Sequence, residues 1–240
     1  MRIALLSDIH ANLPALQAVE KDARDIYADT FICAGDVVGF GPNPKECVDM
    51  IRGLCQVTTS GNHDRAIGWH EDCRCHPALA SIATAAEEYA RKQLYSQDLQ
   101  WLAGMGHEAG LYIGGRELFI VHGSPGDPLY EGIMADADPE KLRKTFLTID
   151  CDYAVLGHTH QQMVIRDVVE GTTLINPGSV GFPLDGNPKA AYTLLDIEKG
   201  EIHPRRVTYD PERTIKDLRY LSPAEKDVLS HIYRNGSYPK

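Results

Sequence analysis

The sequence predicts a mixed α/β (α+β) fold: two packed, mixed β-sheets flanked by helices in a four-layer αββα sandwich. Three observations point there. Short apolar runs at 2–6, 30–34 and 56–59 alternate with segments of helical spacing, and a β-α-β-α-β order requires parallel strands joined by crossover helices. The second half of the chain pairs apolar runs around Gly-containing turns, the pattern of antiparallel hairpins. The 240 residues, 43% hydrophobic and 24% charged, contain no repeat, low-complexity tract or Pro/Gly/Ser linker, so a single domain spanning 1–240 is expected.

Residues 2–6 read as a buried strand that ends at Ser7-Asp8. Asn12 is a helix cap, Pro14 fits a first turn, and Leu13, Leu16, Val19, Ala23 and Ile26 follow helical spacing. The strand at 30–34 ends at Gly35-Asp36, and Asn43-Pro44 opens a helix carrying Cys47, Val48, Ile51 and Leu54. A third strand at 56–59 ends at Gly61-Asn62-His63-Asp64. Residues 69–77 look irregular and precede helices at 78–94 and 97–103. This helical insertion, around 69–105, is expected to shape one wall of a site, as loops at such positions often do. Hairpins are expected at 110–113/117–121 around Gly114-Gly115, at 163–169/172–175 around Glu170-Gly171, and at 192–197/202–207 around Lys199-Gly200. Asp138 caps a helix at 139–147, a strand at 153–156 ends at Gly157-His158, and helices at 211–219 and 223–234 close the chain.

The formal net charge of -10 disfavours partners that require a basic surface, so a nucleic-acid polymer or an anionic membrane is not expected. It leaves room for a phosphorylated substrate, because bound cations can reverse the local field. No apolar run is long enough to span a bilayer, and the apolar start of the chain is too short for a signal-peptide core. The six cysteines form no disulfide framework, which fits reduced thiols and a cytoplasmic protein. His70, Cys73, Cys75 and His76 do not have the usual spacing of a structural zinc site. Oligomeric state is left open.

Chemistry-bearing residues gather at strand ends. Asp8 and His10 follow the first strand, Asp36 the second, and Asn62 and His63 the third; His122 follows 117–121, and His158 and His160 follow 153–156. Ligands of α/β sheets bind beyond the carboxyl ends of strands. Asp, His and Asn together form an oxygen/nitrogen donor set suited to Mn, Fe, Zn or related ions. Seven donors from this group already exceed one tetrahedral zinc but fit two metals sharing a carboxylate, roughly 3.5–4 Å apart.

Asp8-Ile9-His10, Gly35-Asp36, Gly61-Asn62-His63-Asp64, Val121-His122-Gly123 and Gly157-His158-Thr159-His160 together resemble the calcineurin-like metallophosphoesterases, all five blocks in family order. Asn176-Pro177-Gly178-Ser179 resembles a loop of the small bacterial and archaeal members. The resemblance implies that Asp8, His10 and His160 bind one metal ion, that Asn62, His122 and His158 bind a second, and that Asp36 bridges both. It further implies that a hydroxide between the metals attacks phosphorus and that His63, a non-ligand, stabilises charge or protonates the leaving oxygen. The substrate class implied is a small-molecule or nucleotide phosphate ester, cleaved as a monoester or a diester.

One departure bears on the alternatives. Protein Ser/Thr phosphatases carry an acid and an arginine where this chain has Gly39 and Phe40, which argues against that activity. Arg65 is a candidate substitute cation for binding substrate. Asp64 is expected to hold its loop by hydrogen bonds. A non-catalytic metal-binding scaffold of the same fold is a further alternative, disfavoured because every ligand position and His63 are filled.

Overall fold

The computed structural model describes residues 1–239. In chain order, β1 (Arg2–Leu6), α1 (Leu13–Asp25), β2 (Thr30–Cys33), α2 (Pro44–Leu54) and β3 (Cys55–Thr58) form the expected β-α-β-α-β unit. Helix α3 (Asn62–Trp69), a 3-10 turn at Pro77–Leu79, α4 (Ala80–Gln93) and α5 (Ser96–Gly104) follow. Next come β4 (Glu108–Ile113), β5 (Arg116–Val121), α6 (Pro139–Phe146), β6 (Tyr153–Val155), β7 (Met163–Ile165) and β8 (Thr173–Asn176). The chain then runs through β9 (Ala190–Asp196), β10 (Glu201–Val207), α7 (Glu212–Ile215) and α8 (Pro223–Asn235).

The strands make two mixed five-stranded sheets, ordered β10-β9-β1-β2-β3 and β4-β5-β6-β8-β7. Each contains a parallel trio, β1-β2-β3 in one and β5-β6-β8 in the other, extended by antiparallel strands. Because side chains alternate along a strand, β1 feeds two layers at once. Ile3 and Leu5 point between the sheets with Ile32, Ile120, Val155 and Ile175, whereas Ala4 and Leu6 face the helices with Leu16, Val19, Val48 and Ile51. Helix α6 covers the outer face of the second sheet through Leu142 and Phe146, packed with Ala154, Leu156 and Leu174. Four layers follow from that arrangement, as the sequence predicts.

Local signals explain where the helices begin. The Asn12 side chain accepts a hydrogen bond from Ala15 N, Asp138 accepts from Glu140 N, and Ser222 and Glu225 form a capping box beneath Pro223. Pro204 sits mid-strand in β10, tolerated because β10 is a sheet edge with no neighbour on its far side.

The structure departs from the sequence reading in three places. The Gly61-Asn62-His63-Asp64 segment opens helix α3 rather than remaining a loop, with Asp64 closing the first turn by accepting from Gly61 N. Strand β7 stops at Ile165, because Asp167 adopts a left-handed φ of 56° and turns the chain out of the sheet. The helix expected at 211–219 is regular only over Glu212–Ile215. C-terminal helix α8 packs Leu229, Ile232 and Tyr233 against the insertion residues Leu79, Ile82 and Ala83 and against Phe40 and Phe182. The end of the chain thereby buttresses the insertion beneath the strand ends.

Candidate metal centre

Both parallel trios direct their carboxyl ends to one place. Asp8, Asp36 and the start of α3 arrive from the first sheet, and His122, His158 and His160 from the second. All seven predicted ligands converge there, although they are spread from residue 8 to residue 160. Ligand atoms of Asp8, His10 and His160 lie within 4.8 Å of one another, as do those of Asp8, Asp36 and His122. Asn62 Oδ1 is 3.1 Å from both His122 Nε2 and His158 Nδ1. Asp36 lies between the groups, with Oδ2 at 3.6 Å from His10 Nε2 and 3.3 Å from His122 Nε2.

The backbone bends to bring these groups together. Asp8, His10, Asp36, His158 and His160 all have positive φ, between 46° and 68°. A residue with a Cβ in that region costs about 1–2 kcal/mol, so the site concentrates strain that the surrounding fold must hold. Gly61 makes the close approach possible, since a Cβ there would lie 2.1 Å from Asp36 Oδ1.

Hydrogen bonding fits this pocket to cations. His122 Nδ1 donates to Ala34 O at 2.8 Å, and His160 Nδ1 donates to Phe182 O. A carbonyl can only accept, so each neutral ring turns its Nε2 lone pair inward. Asn62 commits its amide donor to Cys73 O at 2.8 Å, which turns its Oδ1 inward as well. Once those two rings give up their second proton, lone pairs face lone pairs and carboxylate oxygens in a buried space, which favours a cation in place of the protons. This oriented donor set fits divalent metal ions.

Electrostatics within the cluster reflect that crowding. Burial alone would disfavour the imidazolium of His122, yet Asp36 and Asp8 outweigh it and carry the group up to about 9. Burial and the neighbouring His122 push His158 down to about 4. Burial raises Asp8, but His160 and His122 reverse the effect and leave it at about 2. Asp64, buried and facing the charge of Asp36, rises to about 7. It accepts hydrogen bonds from Gly61 N and Val38 N at 3.0 and 3.1 Å, so the hydrogen-bonding role expected of it holds, within the first turn of α3 rather than in a loop.

His63 stands beside the cluster. Its backbone N–H donates to Asp36 Oδ1 at 2.9 Å, while its buried Nδ1 has no hydrogen-bond partner. Gly39, where an orienting acid would fall, has φ +101°, and a Cβ there would come within 2.8 Å of His63 Nδ1. Phe40 fills the neighbouring space, 4.6 Å from the His63 ring and stacked on Phe182 at 4.5 Å.

A cavity of about 430 Å³ opens over His63, Asn62 and His158. The insertion supplies one wall through Arg74, Cys75, His76 and Leu79, as the sequence suggests. Arg65 is not on that wall: its guanidinium donates to both carboxylate oxygens of Glu71 and lies 4.5 Å from the Trp69 ring centre. The cationic wall residue is Arg74, which sequence reading did not single out. The only signal was its place in the Cys73-Arg74-Cys75 segment of the insertion.

Two mixed sheets with a buried Asp/His/Asn cluster at their shared edge define a metal-dependent phosphoester hydrolase of the metallophosphoesterase class. The chain belongs to the calcineurin-like phosphoesterase superfamily, whose domain matches residues 1–200. It is 31% identical over 230 residues to an uncharacterized protein of Methanocaldococcus jannaschii, covering 90% of this chain and 91% of that one. A metallophosphoesterase crystal structure from Sphaerobacter thermophilus superposes with a TM-score of 0.81 at 31% identity, over 98% and 99% of the two chains. A protein of Pyrococcus horikoshii OT3 shares the fold, with a TM-score of 0.84 at 21% identity over 99% of both chains.

Proposed function

We propose that this chain hydrolyses small-molecule or nucleotide phosphate esters at a two-metal centre. Asp8, His10 and His160 would hold one ion, Asn62, His122 and His158 the other, and Asp36 would touch both. The observation that carries the reading is the inward turn of the His122, His160 and Asn62 acceptors, each fixed by a bond its other polar atom makes to a backbone carbonyl. When bound, such ions supply Lewis acidity toward phosphoryl oxygen and lower the pKa of water. Mn, Fe and Zn all suit this donor set.

The chain's own residues do the remaining work. The Asp36 carboxylate accepts from His63 N, which ties the position of His63 to that of the shared ligand. Burial keeps His63 below its ordinary value, so near neutral pH its ring is neutral. A neutral imidazole still donates one N–H, which suits a hydrogen bond to the phosphoryl or leaving oxygen. The aromatic wall of Phe40 and Phe182 limits water around that ring. Phe40 and Gly39 in place of an arginine and an acid argue against a protein Ser/Thr phosphatase, and the filled ligand set argues against a scaffold.

All six cysteines are free, which supports a reducing compartment such as the cytoplasm. Among the described residues no helix is long and apolar enough to cross a membrane. The test is direct: strip the protein with chelator, restore Mn²⁺, and assay p-nitrophenyl phosphate and bis-p-nitrophenyl phosphate. Metal-dependent release of nitrophenol from either is expected, and their ratio assigns monoester or diester preference. No turnover of either ester with Mn²⁺, Fe²⁺ or Zn²⁺ would sink the enzymatic reading.

A further inference from the structure

We propose that Arg74 is the anion-binding residue of this site, pairing its guanidinium with substrate phosphate oxygens that face the insertion. The inference rests on the phosphoesterase reading above and adds to it a residue and a substrate requirement.

Among the described residues, Arg74 is the one Lys or Arg lining the cavity. No carboxylate there lies within ion-pair distance of its guanidinium, in contrast to Arg65, which Glu71 engages. Instead the Arg74 guanidinium lies 4.3 Å from the centre of the Tyr130 ring. That contact carries it from the insertion toward the loop after β5, whose Gly132 packs against His158 and Thr159. Arg74 thus stands on the cavity wall in the segment that Asn62 holds, with its guanidinium on the Tyr130 ring. A guanidinium held on an aromatic face keeps its edge N–H donors free in a planar fork matched to phosphate.

The segment is set from the metal centre itself. Asn62 Nδ2 donates to the carbonyl of Cys73, the residue before Arg74, while Asn62 Oδ1 points into the ligand cluster. Arg74 N donates to Asp72 Oδ1 at 2.8 Å, and Arg74 adopts a left-handed φ of 52°. The apolar lining beside it, from Met134, Leu184 and Tyr238, suits an organic group next to the charge, and the cavity falls within the size range of small-molecule sites.

The test uses the manganese-loaded protein and the variants Arg74→Gln, Arg74→Lys and Arg74→Gly. Inorganic phosphate binding is measured by calorimetry. Turnover is measured on thymidine 5′-(p-nitrophenyl phosphate) with and without a 3′-phosphate. Arg74→Gln is expected to weaken phosphate binding, and to lower kcat/KM, by about 10- to 100-fold with bound manganese unchanged, and Arg74→Lys to recover part of it. Equal losses on the two esters assign the contact to the scissile phosphoryl group, and a loss confined to the 3′-phosphorylated ester assigns it to a second phosphate. Glycine adopts the backbone conformation of residue 74 freely, so Arg74→Gly should lose binding without a lower melting midpoint. Phosphate affinity and kcat/KM both unchanged in Arg74→Gln would overturn the proposal. If the wild-type protein turns over neither of these diesters nor p-nitrophenyl phosphate with Mn²⁺, Fe²⁺ or Zn²⁺, the phosphoesterase reading fails, and the phosphate titration alone then decides Arg74: weaker binding in Arg74→Gln upholds it and equal binding overturns it.

Discussion

The floor and the wall of the cavity are built in opposite ways. On the floor, Asp8, His10, Asp36, Asn62, His122 and His160 are buried, and five of the seven candidate ligands sit on left-handed backbone at the ends of core strands. On the wall, Arg74, His76 and Tyr238 are exposed or nearly so and belong to the insertion and the chain terminus. Ligand atoms must be held to fractions of an ångström, so the floor draws on two sheets, second hydrogen bonds and tolerated strain. A wall that recognises substrate needs only the right charge and shape within reach, and a loop braced at one carbonyl suffices. Change on the floor should therefore remove chemistry, whereas change on the wall should alter preference.

Substitutions would break that contrast if it were wrong. The largest effect is expected for Asp36→Asn, which leaves both halves of the ligand set without their shared carboxylate. Turnover should fall by about 10³-fold or more, and metal content measured by mass spectrometry should fall with it. His63→Ala should cost about 10²–10⁴-fold in turnover while metal content stays at the wild-type level, which separates a reacting group from a ligand. Gly61→Ala should destabilise the fold by about 1–3 kcal/mol in a denaturant titration, because the new Cβ meets Asp36 and backbone around it. Metal loading supplies a subtler check. His122, held charged up to about 9 before a metal arrives, must give up its proton to bind one. Uptake near neutral pH should therefore release protons and tighten as pH rises toward that value, readable with an indicator dye in weak buffer. The smallest effect is expected for Arg65→Ala, which removes an exposed pair with Glu71 worth less than about 1 kcal/mol and should leave kcat/KM within about 3-fold.

The same contrast decides what could be read in advance. Floor residues were legible because an apolar run stopping at Asp, Asn or His has few structural uses, and five such stops occur in one order, four of them beside Gly. The sheets were legible from alternating strand and helix periods. Helix α3 was not, since Asn62, His63, Asp64 and Gly68 interrupt any apolar stripe and its start depends on Asp64 meeting Gly61 N. Arg74 was equally hidden: its segment has no periodicity, and its reach into the cavity depends on Asn62 gripping Cys73 O and on Tyr130 arriving from another part of the chain. Arg65 drew attention by standing next to the third block, but adjacency in sequence does not tell which way a side chain leaves a helix.

The division of ligands between two separate strand trios has a consequence for assembly. Residues 8 to 62 carry four of the candidate ligands and residues 122 to 160 the other three, so on the two-metal reading proposed above neither portion of the polypeptide would offer an ion its full donor set alone. On that reading, full coordination would form only once one sheet has docked on the other. Ion uptake during refolding would then report the docking of the two sheets.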